Sequence, residues 1–297
     1  MSTLQKKVDF AVLVTVTNAN GNGDPLNGNR PRTDYNGYGE ISDVCIKRKI
    51  RNRMQDMGNT IFVQSDDRCD DGFDSLSERA NAKLKNISDK KIIAKTACET
   101  WLDVRTFGQV FAFSDGKKKK KSKEESEDKE EKGMSIGVRG PISIHQAVSI
   151  SPVDVESMQI TKSVNGDKNE KGSGKSSDTM GTKHFVRFGL YEIKGSINVQ
   201  LAEKTGFSEE DAQTLKECLR TLFVNDASSA RPDGSMEVVK VYWWQHNCKD
   251  GQYSSAKVHR SLEVHLKDGV DTPTKAEDYD IVLKELPDLK VEVMEGV

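Results

Sequence analysis

Asn20, Asn22 and Asp24 alternate with Gly21 and Gly23, and Asn29, Arg30 and Arg32 follow within the next eight residues. Glycine turns expose backbone N–H groups and arginine forks match phosphate oxygens, so these types at this spacing read as a grip on phosphate or on a cation. Three sharper motifs fail on spacing. A dinucleotide turn starting at Gly21 needs a third glycine at position 26, which is Leu26. A calcium loop starting at Asn18 fits through Asn20, Asn22 and Gly23, but its closing bidentate acid falls on Asn29. Farther on, GSGKSS at 172–177 is half of a nucleotide-phosphate loop. Its leading glycine would fall on Asn169, and no apolar strand precedes it.

Cleavage chemistry has one route. Asp24, Asp34 and Asp43 together would hold Mg²⁺ for phosphodiester hydrolysis. Each also has a local use, since Asp24 before a proline suits a turn and Asp43 suits a helix N-terminus. No H-E-x-x-H occurs, and His246 and Cys248 lie two apart on an expected strand end, where such pairs serve packing. The five cysteines (45, 69, 98, 218, 248) are scattered and never spaced C-x-x-C, which argues against a zinc site or a disulfide framework and for a reducing cytosol. No metal and no cofactor is expected. Backbone binding remains, with Asn29, Arg30 and Arg32 on the loop and Lys47, Arg48 and Arg51 on the helix that it feeds.

Charge makes any such site local. Lys+Arg 45 against Asp+Glu 47 leaves a net charge of -2 over 297 residues, so no global basic field attracts a polyanion. From Gly28 to Arg53, however, seven basic residues face three acidic ones, whereas Asp268 to Val297 carries nine acids and three lysines. The start lacks an apolar leader and no window has the ~18 apolar residues of a membrane span, so a soluble cytoplasmic protein is expected.

The elements that must hold these residues are legible in part. VDFAVLVTVT, 8–17, puts Phe10, Val12, Val14 and Val16 on one face of a first strand. The helix after the loop is capped by Ser42 or Asp43, and Ile46, Ile50, Met54 and Met57 share its apolar stripe. Lys47 and Arg51 then form an exposed ridge, and Arg48 points away from the stripe. Residues 58–100 read as a polar insertion with a short helix near LSERANAKL, and VRTFGQVFAF reads as a strand or extended segment. The run 114–133 has a basic block, an acidic block and no large apolar residue, which predicts a disordered loop. Strands follow in GMSIGVRGPISIHQAVSI, SMQITKSV and HFVRFGLYEIKGSINVQL, with a second polar loop between the last two. GFSEEDAQTLKECLRTLFVND is an amphipathic helix with a Ser208/Asp211 capping box, and MEVVKVYWWQH is a further strand. The order fits an α+β, ferredoxin-like βαββαβ core swollen by insertions, a single domain over 1–297 with an acidic segment at 268–297.

Six segments in order carry a resemblance. N-x-N-G-x-G-D-P-x-x-G-N-R-P-R-T-D from Asn18, G-x-G-x-I-S-D-V-C-I-K-R-K-I-R-N from Gly37, VRTFGQVF, VRGPISIHQAVS, MGTKHFVRFGLY and LAEKTGFSEEDA are similar to the backbone subunit of the CRISPR effector complex Cascade, in its type I-C form. The likeness runs from residue 8 to about 265. It implies an RRM-like palm with finger and thumb insertions, the finger near 58–100 and the thumb at 160–184. It implies a non-catalytic protein whose copies stack along CRISPR RNA, kinking one nucleotide out at each thumb. Asn29, Arg30, Arg32, Lys47, Arg48, Arg51 and Arg139 would then touch RNA, together with Met180, Lys183 and His184 at the thumb. Implied partners are crRNA, target DNA, further copies of the chain, and the Cascade large, small and handle-binding endonuclease subunits. The alternative within the superfamily is a metal-dependent ribonuclease using Asp34. Two departures stand out: the family's N-P-N-G-D-P lacks its proline at Gly21, and its D-R-S-A-A-R-G reads Asp226-Ala227-Ser228-Ser229-Ala230-Arg231-Pro232 here.

Overall fold

The computed structural model describes residues 2–113, 134–161 and 180–297. The disordered-loop expectation for 114–133 and the expectation for most of the 160–184 thumb lie outside the described residues. Strand β1 (Val8–Ala19) leads to two short pieces, β2 (Gly23–Asp24) and β3 (Arg30–Pro31), then β4 (Tyr38–Ile41) and helix α1 (Asp43–Asp56). A satellite follows with α2 (Leu76–Leu84), α3 (Lys90–Thr100), α4 (Leu102–Phe107), β5 (Gly108–Phe113) and β6 (Met134–Arg139). The chain then adds β7 (Ile142–Ile144), β8 (Ala147–Pro152), β9 (Val155–Thr161), β10 (Met180–Ile197), α5 (Val199–Thr205), α6 (Glu209–Arg220) and β11 (Met236–Gln245). Helix α7 (Ser255–His259) and β12 (Leu262–Leu266), β13 (Tyr279–Leu283) and β14 (Val291–Glu295) complete it.

The result is a mixed α/β molecule around one large antiparallel sheet, ordered β14-β11-β1-β10-β8-β4, with β7 and β9 also paired to β10. Alternation decides what lies on each face. Phe10, Val12, Val14 and Val16 pack under Ile46, Ile50 and Met54 of α1 and Leu215 and Leu219 of α6. Each such buried side chain is worth about 2 kcal/mol. Ser42 caps α1, accepting from the Cys45 N–H at 3.2 Å, and the Ser208–Asp211 capping box starts α6 as its sequence predicts. No helix among the described residues is long and apolar enough to cross a membrane.

The opposite face of β1 is buried too. Ala11 and Leu13 meet Tyr242, Trp244, Val258, Leu262 and Tyr279 in a second core. The acidic segment 268–297 contributes two strands to the fold. β13 pairs β12 over that face, and β14 joins the main sheet beside β11. Of the segment's nine acids, only Asp280, Glu292 and Glu295 lie in these strands, where they alternate with apolar residues. Three further differences concern the first half. Met57 is not on the α1 stripe; it ends the helix and is 37% exposed. VRTFGQVFAF is a strand only from Gly108 on, because Val104 and Phe107 close α4. The satellite core of Phe62, Leu84, Ile93, Trp101, Phe111 and Ile136 extends through β6, well past residue 100.

Candidate nucleic-acid interface

The geometry of this face begins with a mismatch in strand length. β1 stops at Ala19, opposite Val186 of β10, yet β10 starts six residues earlier and pairs there with β9 alone. Met180 to Phe185 therefore belong to a two-stranded ribbon that passes the end of β1, beside the loop that β1 feeds. That loop is folded tightly on itself. Asn20 Nδ2 donates to the Asn29 carbonyl at 2.7 Å, and the Arg32 N–H donates to the Asn22 carbonyl at 3.1 Å. Gly23 lets Asn29 pack close, since a Cβ there would lie 2.0 Å from Asn29 Oδ1 and displace that side chain. Gly28 and Asn29 both take left-handed backbone, at φ 57 and 59, conformations that glycine and asparagine adopt at least cost.

Loop and ribbon meet through Arg30. Its Nη1 donates to Ser157 Oγ at 2.8 Å and lies 3.4 Å from His184 Nδ1, while Ser157 Oγ is 2.8 Å from the same nitrogen. A guanidinium only donates, so Ser157 accepts from Arg30, and one hydrogen is shared between Ser157 Oγ and His184 Nδ1. A cavity of about 370 Å³ opens at this junction, lined by Asn20, Gly28, Asn29, Ile160, Thr182, Lys183, His184, Ser229 and Ala230. A larger groove of about 630 Å³ lies around Asp154, Glu156, Arg187 and Asp271. Arg187 is bound to Glu156 there at 3.0 Å, so the groove's net charge repels phosphate, and the smaller cavity is the better anion site.

Of the residues expected from sequence, Asn29, Arg30, Lys183 and His184 come together. Arg32 stays on the loop, with Nη2 3.4 Å from Asp24 Oδ1. Met180 lies at the start of the ribbon and is 62% exposed. Arg139 does not join them. It ends β6 just before β7, and β7 pairs with residues 195–197 of β10. That is the far end of a strand from Lys183, on the order of 40 Å away at ~3.3 Å per residue.

The α1 ridge is also not the open surface that its spacing predicts. Lys47 pairs with Asp43 at 2.9 Å, Arg48 Nη1 donates to the Val63 carbonyl at 2.6 Å, and Arg51 Nε donates to Asp103 at 3.0 Å. Asp103 is 1% exposed and also accepts from the Phe62 and Val63 N–H groups. Arg51 further covers the Phe107 ring. Arg48 and Arg51 thus tie the satellite to α1. Helical spacing shows which face a residue occupies, but not what an insertion later lays over it.

Lys49 was missed, although it lies three residues from Ile46 within the apolar stripe. It is buried against Asp226, which also accepts from Arg231 at 3.3 Å, and burial lowers the pKa of its ammonium against the pull of that carboxylate. Through Asp226 it holds the 226–231 loop, whose Ala230 carbonyl accepts from the Asn20 N–H at 2.9 Å. Ser157 was missed as well, because a serine in a strand gives no signal until its partner strand is known.

The three carboxylates weighed for metal chemistry do not converge. Asp34 Oδ1 accepts from the Asn36 and Tyr38 N–H groups, both at 2.8 Å; Asp24 caps the Leu26 N–H and pairs with Arg32; Asp43 pairs with Lys47. Among the described residues no group of three or more His, Cys, Asp or Glu is placed to hold a metal ion.

Comparison with known proteins gives a consistent family. The model described as CRISPR-associated protein Cas7 matches residues 6–284. A CRISPR-associated protein Cas7 of Haloferax volcanii is 25% identical over 230 residues, covering 75% of this chain and 65% of that protein's length. Chains from two CRISPR RNA-guided surveillance complexes, one in a pre-nicking state, each align with a TM-score of 0.46, at 16% and 18% identity. These alignments cover 90% and 89% of this chain and 84% and 78% of the others.

Proposed function

The chain belongs to the CRISPR-associated Cas7 family, and from that premise we propose that it is the repeating, non-catalytic backbone subunit of a type I-C Cascade surveillance complex, binding and segmenting crRNA. The observation that carries this reading is one open cavity lined by Asn29 from the loop and by Lys183 and His184 from the ribbon, with Arg30 of the loop 3.4 Å from His184. These groups offer a guanidinium, an ammonium and an imidazole to one short stretch of phosphodiester. Arg32 and Lys47 are outer contacts. Arg48 and Arg51 are structural in this proposal, and Arg139 has no part in the phosphate grip.

The frame β1–α1–β8–β10–α6–β11 with spatial order β11-β1-β10-β8 supports an RRM/ferredoxin-like palm, in which the last strand, the first, the third and the second lie side by side. The satellite from α2 to β6 is the proposed finger, and the β9–β10 ribbon leads to the proposed thumb. The engagement of Asp34 in its own turn favours a scaffold over a nuclease. Proposed partners are crRNA, further copies of the chain, target DNA and the other Cascade subunits, in the cytoplasm.

A ribonuclease footprint on a long single-stranded RNA tests this. Regular protected intervals, each separated by one accessible nucleotide, with no strand cleaved in Mg²⁺ alone, are expected. Irregular protection, or cleavage abolished by Asp34→Ala, would overturn it.

A further inference from the structure

Tyr35 is 106% exposed, its ring held wholly in solvent. Tyrosine buries most of its ring when it can, so a tyrosine on a rigid support with nothing against it needs a reason. The support is rigid. Asp34 Oδ1 receives the Asn36 and Tyr38 N–H groups at 2.8 Å each, and the Asp34 N–H donates to the Tyr38 carbonyl at 2.9 Å. Gly37, at φ 82, completes the turn, and its carbonyl accepts from the Val153 N–H at 2.9 Å, fixing the turn to the sheet. The carboxylate that would have served a metal instead presents an aromatic ring.

We infer that Tyr35 is a stacking platform for a nucleobase of the bound single-stranded RNA. The inference rests on the RNA-binding reading above and adds a contact with bases to one with phosphates. Arg32 is three residues away, and Arg30 five, at most ~17 Å along an extended chain. A strand whose phosphates lie at Arg30 can therefore bring a base to the ring. An aromatic beside a phosphate grip binds without sequence preference, because every base has a π-face. This suits a subunit that must accept any guide. The turn's fixed backbone lowers the entropy that capture costs, because only the ring's own rotation has to be stilled.

The test is a fluorescence titration of a short oligoadenylate carrying 2-aminopurine, repeated with a strand of abasic ribose phosphates. Tyr35→Phe should retain affinity and quenching. Tyr35→Ala should lose roughly five- to a hundredfold in affinity for the base-bearing strand with its salt dependence unchanged, since no charge is removed. On the abasic strand the wild type and Tyr35→Ala should bind alike. Leu26, 98% exposed on the neighbouring turn, is the aliphatic control, and Leu26→Ala should match the wild type. Wild-type affinity in Tyr35→Ala, a flattened salt dependence, or an equal loss in Leu26→Ala would overturn the inference. So would intact binding of the short strand with lost assembly on long RNA, which would make Tyr35 a contact between copies. A wild type that binds neither strand would instead overturn the proposed function.

Discussion

Arg51 and Lys47 lie four apart on α1 and share one ridge in sequence, yet they hold different positions in the fold. The Arg51 side chain is 13% exposed against an Asp103 at 1%, whereas Lys47 and Asp43 are 26% and 41% exposed. Removing one partner of a buried pair leaves the other charge stranded, while an exposed i,i+4 pair is worth a few tenths of a kcal/mol. Arg51→Ala should therefore lower the unfolding free energy by about 3 kcal/mol, and urea denaturation should leave Lys47→Ala almost unchanged. Asp9 offers a second test. Burial raises its pKa, but hydrogen bonds from His246 and Ser255 and the nearby Lys7 outweigh that and hold it below its ordinary value of 3.8. A depressed carboxyl contributes stability that is full above 3.8 and lost as pH falls through the folded value. His246 accepts the Gln252 N–H on Nδ1, and its Nε2 lies 2.8 Å from Asp9 Oδ2. Asp9→Asn should be less stable at neutral pH and should show a shallower fall in urea midpoint below pH 4.

At the scale of elements, what the sequence reveals depends on whether an element's neighbours are local. α1, α2 and α6 are set by caps and periodicity within one segment; α1 and α2 agree with expectation to within a residue, while α6 starts at its cap but ends at Arg220, six residues before Asp226. The failures come from distant partners. LEVHL, YDIVL and VEVME alternate as strands should, yet none is read as one from sequence; the first two pack on β1's second face and the third pairs with β11. The strand expected through VRTFG breaks because α4 turns sharply into β5 at Gly108, φ 85. Gly140 sits against that turn, and a Cβ there would lie 2.3 Å from the Thr106 carbonyl oxygen and 2.4 Å from the Phe107 carbonyl carbon. Two glycines from separate motifs thus exist for one close backbone approach. Gly140→Ala should cost about 2 kcal/mol through forced displacement. Hydrogen exchange should show the loss first in β5 and β6, and uniform protection across the sheet would contradict it.

Across the whole molecule, a net charge of -2 means that binding to a polyanion must come from a few placed side chains rather than from a field. The family was legible in motif order, and the candidate site only in part. Loop residues were visible because glycine, asparagine and arginine mark a turn and a grip together. The ribbon's contribution depends on β10 outrunning β1 by six residues, a fact of register that no single segment carries. Each phosphate held on a single strand contributes about -0.7 to the log–log salt slope. The most direct measurement is therefore the affinity of the protein for single-stranded RNA, by fluorescence anisotropy across a range of salt, in wild type and in Arg30→Ala, Lys183→Ala. The account predicts binding by the wild type, and in the double variant weaker binding for every RNA sequence alike, with a slope shallower by about 1.4 for two lost contacts. A wild type that does not bind RNA, or a double variant with the same affinity and slope, would contradict it.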